Sequence, residues 1–536
     1  MSSSSKSASN MGASAISGTT ILIFVQLASR LFIFASNQLI LRSLSPSVLG
    51  IAAQLELLLI SILYFSRESI RTAIQRQPLW PSSASSAGTD QHATSSSKKG
   101  ERRKIQIASS QSIVNMSYLS IGMGIVTALT FAAFYVRFAS DEVLETPYYH
   151  TSVVITAIAS LIELCSEPIF AAVQQYTLLS RRAAVEVSAA FFKSLVTCGI
   201  SIWAVRKGHI LGALPFALGY LSYAIGVLCG YFLVAFYQRS DWHFSLFLSK
   251  IVSSDDTRYL GNIFSARLLT LSANVFLQSV VKHLLTQGDS MILAAMTTLQ
   301  DQGIYSLVSN YGGLLARILF QPIEESSRTM FSSLLSSKRS KGQQADVAVA
   351  KTHLLNVMKL YMIIAVVIIP LGPALAPRAL HILGGQRWSA PEVDGLLALY
   401  CYYIPFLAFN GIGEAFVSST ASPAELRKQT AWMSLFSACF ALAAYFFLAM
   451  GGFGARGLVY ANIVNMFVRI TWSFSFVRKY FHEHKSELSL SEFNLRPLTY
   501  ASGAIMAFLL SDMCSRVRPQ KDFALFVIGG SYCLQV

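Results

Sequence analysis

The chain has 536 residues, of which 53% are hydrophobic and only 13% charged, with a mean hydropathy of +0.50 and a formal net charge of +15. Ordinary soluble domains are about a quarter charged, so this composition excludes a water-soluble globular protein. The positive balance sits in short loops between apolar stretches, which reads as basic loops held at an anionic leaflet rather than as a nucleic-acid footprint.

A hydrocarbon core about 30 Å thick needs roughly 20 apolar residues per helical crossing. Stretches of that kind fall near 16–41, 46–66, 112–136, 149–173, 183–205, 210–237, 265–298, 303–323, 354–376, 394–418, 430–450, 457–477, 498–514 and 521–536, which predicts an all-α polytopic membrane protein of about fourteen spans. The seventh stretch is too long for one straight crossing and contains Gln287-Gly288-Asp289, so a tilt or a break at the glycine is expected. The fourteenth is barely long enough. The first fifteen residues are serine-rich and read as a disordered tail, without the n-region and cleavage site of a secretory signal. The 77–104 segment has a Ser/Ala/Gly/Thr tract ending in a basic run and is expected to be a disordered cytosolic loop. The 478–496 segment mixes aromatic and charged residues as an interfacial helix does. Seven cysteines lie in the spans without metal-ligand spacing and read as reduced core residues. His482 and His484 have no third partner, so no metal site is expected, and no nucleotide-binding glycine loop occurs.

Loops after even-numbered spans hold 23 basic residues against 10 in the others, which places the N-terminus in the cytosol. The halves also repeat. Gly50 and Gly303 open spans two and eight at an offset of 253, Glu68-Ser69-Ile70-Arg71 and Glu325-Ser326-Ser327-Arg328 recur at 257, and Glu163/Glu167 match Asn410/Glu414 at 247. These matches predict two parallel six-span lobes, 16–237 and 238–477, followed by 478–536 with the interfacial segment and two extra spans.

Positions spaced by 4, 7, 11, 15 or 18 share a helix face. Span one aligns Gln26, Arg30 and Asn37; span four Ser160, Glu163, Glu167 and Gln174; span five Glu186, Lys193 and Thr197. Span seven aligns Arg267, Asn274, Gln278 and Lys282, span eight Ser306, Asn310, Arg317, Gln321 and Glu324, span ten Asn410 and Glu414, and span twelve Asn462, Arg469 and Ser473. About ten charged groups facing lipid at about 2.5–3.5 kcal/mol each would cost roughly 30 kcal/mol. The stripes are therefore expected to be paired or hydrated, as ion pairs such as Glu186 with Lys193 or as a cavity open to the cytosol. Such a cavity would offer charge-assisted donors to phosphate and partners to sugar hydroxyls.

Phe65-Ser66-Arg67-Glu68-Ser69-Ile70-Arg71, Glu163-Leu164-Cys165-Ser166-Glu167-Pro168 and the run from Asp301-Gln302-Gly303 through Ala316-Arg317 to Phe320-Gln321-Pro322-Ile323-Glu324-Glu325-Ser326 resemble the Rft family. That family belongs to the multidrug/oligosaccharidyl-lipid/polysaccharide flippase superfamily. The resemblance implies a multi-pass endoplasmic-reticulum protein with a two-lobed fold of twelve spans plus two. It also implies a role in N-glycosylation, moving dolichol-diphosphate heptasaccharide from the cytosolic to the lumenal leaflet by a central-cavity mechanism. Implied partners are that glycolipid, membrane lipids and the enzymes that assemble it; no cofactor, metal, nucleic acid or catalytic residue is implied. The residues expected to act are Arg30, Asn37, Arg67, Glu68, Arg71, Glu163, Glu167, Lys193, Lys282, Asn310, Arg317, Glu324, Glu325, Glu414 and Arg469. Competing readings are an accessory protein that handles the glycolipid without translocating it, a cation-coupled drug exporter, and a dolichol-dependent glycosyltransferase, the last disfavoured by a first lumenal loop of only Arg42 to Pro46.

Overall fold

A computed structural model describes residues 38–42, 44–75, 96–238, 242, 244–251, 259–335, 343–385, 388–486 and 488–516. The N-terminal tail, span one up to residue 37, the 76–95 part of the long loop and span fourteen lie outside them. The described chain is helical apart from a two-stranded antiparallel ribbon that pairs Tyr259 with Ser265 and Leu260 with Phe264.

It divides into two compact units, one of 1–44 and 51–287, the other of 45–50 and 288–536. The division runs through the seventh span, whereas the sequence repeat places the lobe boundary at 237/238. In the first unit the helices are α1 (Pro46–Gln75, with its first turn in the other unit), α2 (Ser96–Arg137), α3 (Tyr149–Leu164), α4 (Glu167–Gln175), α5 (Leu179–Lys207), α6 (Leu214–Gln238) and most of α7 (Ala266–Met296). The second holds α8 (Leu299–Leu315), a π-helical turn (Ala316–Phe320), α9 (Gln321–Leu335), α10 (Gln343–Gly384), α11 (Pro391–Thr420), α12 (Pro423–Tyr445, extended by a π turn), α13 (Ala455–Glu483) and α14 (Pro497–Arg516).

Among the described residues eight helices are long and apolar enough to cross a membrane, or nine if the bent pair Ala266–Leu284 and Thr286–Met296, at 52°, is one span. The break in span seven thus falls just before the glycine expected to cause it. The helices that carry the Asn310–Glu324 and Asn462–Ser473 stripes fall outside that set, because charged and amide side chains lower the hydropathy of α8, α9 and α13.

Three expectations are corrected. α2 begins at Ser96, so the basic end of the segment read as disordered is helical, its backbone bonds propagating from the apolar span that follows. The 478–496 segment is not one interfacial helix: α13 runs on to Glu483, and the remainder contains only the short 3-10 turn Leu490–Phe493, capped by Ser489 and Glu492. Of the five cysteines whose side chains are described, all free, Cys198 and Cys401 are buried, while Cys229 is exposed on α6 and Cys165 is exposed in the break between α3 and α4.

Helix ends follow local chemistry. Ser422 and Glu425 form a reciprocal capping box ahead of α12, with Pro423 at the first helical position where a missing N–H costs nothing. Thr298 caps α8 by accepting from the Asp301 N–H. The first turns of α1 and α8 meet backbone to backbone: a Cβ on Gly303 would overlap the Pro46 carbonyl, and one on Gly50 would overlap the Leu299 carbonyl. The repeat-equivalent glycines therefore allow a reciprocal close approach that no side chain permits. On the other side of this unit, Lys351 of α10 holds Glu492 at 2.8 Å and ties the 3-10 turn down.

Two outcomes follow. Gly303→Val should lower the thermal midpoint of the purified protein through overpacking of about 1–3 kcal/mol, whereas Gly122→Ala, which meets open space, should leave it unchanged or raise it; equal midpoints for both would refute the close-contact account. The hydrogen bond from the Lys351 ammonium holds the Glu492 carboxyl below the usual range. Its contribution is present above the unfolded carboxyl pKa of about 4.3 and is lost as pH falls through the lower folded value. The protection factors of amides in the 3-10 turn should fall on acidification, and Glu492→Gln should show low protection at every pH; protection independent of pH in the unaltered protein would contradict this.

Candidate functional site

In the first unit the sequence carries Arg67 and Arg71 one turn apart near the end of α1, and Glu163 and Glu167 on either side of a break. α3 stops at Leu164, the Ser166 hydroxyl donates to the Glu163 carbonyl at 2.7 Å, and α4 starts at Glu167 with Pro168 in its first turn. Pro168 has no N–H to continue the earlier helix, so the break is written into the chain. The result is a four-membered charge network. Arg67 Nη1 lies 2.6 Å from Glu163 Oε1 and 3.3 Å from Glu167 Oε1. Arg71 grips Glu167 in a fork, Nη2 to Oε1 at 2.6 Å and Nε to Oε2 at 2.9 Å.

Burial makes this network strong. The Glu163 and Glu167 side chains are 8% and 3% exposed, and each formal charge has an opposite partner. The Arg71 guanidinium lies 3.7 Å over the Phe170 ring, and Arg182 stands 4.8 Å from the same ring while donating to Glu186 and to Gln174 Oε1, both at 2.9 Å. A small cleft at this point is lined by Arg71, Gln75, Ser117, Glu167, Phe170 and Gln174.

The pairing of Glu186 with Lys193 does not form. Glu186 pairs with Arg182 one turn away, and Lys193 Nζ sits 4.5 Å over the Tyr220 ring, with Glu56 and Glu163 as the carboxylates acting on it. Two turns of rise, about 10 Å, separate residues seven apart, and a four-residue spacing wins. Glu68 reaches Lys282 of α7 at 3.4 Å, a half-exposed pair. Arg267, Asn274, Gln278 and Lys282 are all exposed on the face of α7.

In the second unit Arg317 lies on the π turn. Its Nη2 donates to both the carbonyl and the side-chain oxygen of Asn310, at 2.9 and 2.8 Å, and Nε reaches the Gly313 carbonyl at 3.3 Å. The guanidinium is thus aimed by its own helix while remaining exposed. Glu324, on the same stripe as Arg317, does not pair with it: the Glu324 carboxylate lies against Gly411, and among the described residues no cation is within ion-pair distance of it. Glu325 accepts from Gln321 at 3.2 Å. Glu414 pairs instead with Arg469 across α11 and α13, and Asn462 donates to the Tyr305 hydroxyl at 3.0 Å. Arg30 and Asn37 lie outside the described residues. No cluster of three or more metal-ligating side chains occurs among the described residues.

Sequence reasoning missed Arg182, Phe170 and Tyr220. Arg182 is one of the 23 cations of the loops after even-numbered spans, although its spacing to Glu186 is that of a helical pair; Phe170, three residues after Glu167, shares its face.

A family model described as Rft protein matches residues 14–536. The chain is 34% identical over 495 residues to the Man(5)GlcNAc(2)-PP-dolichol translocation protein RFT1 of Yarrowia lipolytica, covering 88% of this chain and 71% of that protein. Proteins of the same name from Saccharomyces cerevisiae and Mus musculus are 31% and 28% identical, over 87% and 86% of this chain and 83% and 81% of their own. Among solved structures, the lipid II flippase MurJ is similar at 11% identity and a TM-score of 0.55, covering 96% of this chain and 97% of that one. An inward-facing multidrug MATE transporter is similar at 13% identity and 0.54, covering 85% and 95%. These likenesses establish the all-helical flippase fold.

Glu167→Gln should destabilise the protein strongly, by about 3–5 kcal/mol, because two guanidiniums lose their shared buried partner. Glu68→Gln, which loses an exposed partner, should cost about 1 kcal/mol or less. Thermal unfolding of the two variants in one detergent checks this, and similar losses would contradict it.

Proposed function

The chain belongs to the Rft family, and from that membership we propose that it moves the dolichol-diphosphate-linked heptasaccharide from the cytosolic to the lumenal leaflet of the endoplasmic-reticulum membrane in N-glycosylation. The observation that carries this reading is the shared name of relatives from yeasts to mouse, Man(5)GlcNAc(2)-PP-dolichol translocation protein, at 28–34% identity over most of both chains.

The side chains support it chemically. Arg317, exposed and aimed by Asn310, presents its outer N–H groups to a diphosphate, for which a planar fork of donors is suited. Glu324 and Glu325 accept hydrogen bonds from sugar hydroxyls. The dolichol chain stays in lipid, since the outer helix faces are apolar and only the headgroup needs a polar route. Arg67, Arg71, Glu163 and Glu167 act differently: their mutual pairing holds α1 against the broken span four, so they shape the lobe rather than bind ligand. Glu414 with Arg469 plays the corresponding part in the second unit. Lys193 over Tyr220 is a reserve cation close to Glu56.

We infer that the protein works without a catalytic residue, metal or cofactor, its N-terminus in the cytosol. The accessory reading has one point in its favour, the neutralised state of the first-unit network.

Translocation of radiolabelled lipid-linked heptasaccharide is measured in liposomes containing only this protein. Selective crossing that slows at least about tenfold in Arg317→Ala, as losing a charge-assisted bond of about 1.5–3 kcal/mol requires, supports transport. Binding without crossing would overturn it in favour of the accessory reading.

A further inference from the structure

Between α6 and α7 the chain runs through an extended segment, 244–251, and the small ribbon Tyr259–Ser265. The Ile251 N–H donates to the Asn262 carbonyl in the turn of the ribbon at 2.7 Å, and side chains of α2 meet further backbone groups of 244–251. Gln111 donates from Nε2 to the Phe247 carbonyl at 3.0 Å and accepts the Ser245 N–H on Oε1 at 2.9 Å. Asn115 donates to the carbonyls of Ser249 and Ile263, at 2.7 and 2.8 Å, and accepts from the Ser249 N–H at 3.3 Å. The Tyr118 hydroxyl donates to the Leu246 carbonyl at 2.9 Å. Asn115 is completely buried by this arrangement.

The location of these three residues fixes where the segment lies. The apolar part of α2 spans Ile107–Arg137, 31 residues. At about 1.5 Å per residue this exceeds a hydrocarbon core of about 30 Å by about 15 Å, so the first turns lie in the headgroup zone. The basic run ending at Lys104 sets this excess at the N-terminal end, which puts Gln111 to Tyr118 near the boundary between headgroups and acyl chains. Irregular backbone is tolerated at that depth only when its polar groups are paired within the protein, and the pairing seen here meets that condition.

The outward side of the segment is apolar with a basic fringe. Phe247 is 79% exposed, Leu248 47% and Leu260 of the ribbon 61%. Lys250 and Arg267 are exposed beside them. Phe244, in contrast, turns inward and stacks on Trp242 and Tyr176.

We propose that 244–251 is a membrane-anchoring strap, pinned to α2 by Gln111, Asn115 and Tyr118, that inserts Phe247 and Leu248 between the headgroups of an anionic phospholipid leaflet. Lys250 and Arg267 meet the lipid phosphates while the two apolar side chains enter the acyl boundary. The strap joins α6 to α7, so it fixes the height of both helix ends relative to the bilayer. This role stands whether or not the protein itself moves a glycolipid.

The test incorporates the photocrosslinking residue benzoylphenylalanine in place of Phe247, and separately of Phe244, in the full chain. Each protein is reconstituted in vesicles of phosphatidylcholine with phosphatidylglycerol and irradiated, and adducts are read by mass spectrometry. The expected result is several-fold more phospholipid adduct at 247 than at 244, with the 244 probe bonding to Tyr176 or Trp242 and the 247 adducts enriched in phosphatidylglycerol. Asn115→Leu should reduce the lipid adduct at 247 by releasing the strap; if that variant fails to fold, Gln111→Leu takes its place. Equal lipid yields at 244 and 247, adducts at 247 to this or another protein chain, or no preference for the anionic lipid would overturn the proposal.

Discussion

A guanidinium or carboxylate in an apolar medium must have a partner, and the Arg67–Glu163–Glu167–Arg71 network is where this chain meets that demand most fully. The helices around it are arranged to satisfy it. Both arginines sit on one face of α1, and the break ahead of Pro168 brings two carboxylates to within reach of that face. Phe170 and Arg182 then close the cluster, and the packing of Ile169, Val173, Val185, Val227 and Tyr231 fills the space behind it. Removing one partner leaves an uncompensated buried charge, which is far more costly than never having had the pair.

The sequence repeat makes the second unit an internal comparison. At the offset that aligns the two E-S-x-R motifs, 257, the position of Arg67 is taken by Glu324, and at the offset of 247 Glu163 and Glu167 correspond to Asn410 and Glu414. The sign at the Arg67 position is reversed, so the corresponding network cannot form. Glu414 finds its cation on α13 instead, in Arg469, and Glu324 is left against the bare backbone of Gly411. In the first unit Arg67, Arg71, Glu163 and Glu167 neutralise one another, and the second keeps a carboxylate and the exposed Arg317 without an ion-pair partner among the described residues. That asymmetry is what a chain needs if one half is to be the rigid body and the other is to meet a charged, hydroxylated headgroup.

Much of this was legible in the order of residues. Length and apolar runs locate the described spans, the four-residue spacing of Glu163 and Glu167 puts both on one face, the E-S-x-R repeat singles out Arg71, and Arg67 is named only by the family resemblance. Their partners were less legible, because a stripe tells which face a side chain occupies but not which neighbouring helix meets it. Glu324 and Arg317 share one stripe two turns apart, yet Arg317 is satisfied by Asn310 and Gly313 on its own helix. The 244–251 strap left no trace at all: its bonds join Gln111 and Asn115 to backbone about 134 residues away, and backbone acceptors have no sequence signature. The helical start at Ser96 was hidden for a similar reason, since the polarity of the following residues argues for solvent exposure and not against a helix continued from a buried span.

The central claim is that Arg71 and Glu167 act as a pair whose worth lies in mutual neutralisation within an apolar unit. The most direct measurement is a double-mutant cycle in thermal stability, Arg71→Met, Glu167→Met and the two together, in one detergent. Mutual neutralisation predicts that the double variant is more stable than the Glu167→Met single variant, with a coupling of about 1.5 kcal/mol or more. Strictly additive losses would contradict it.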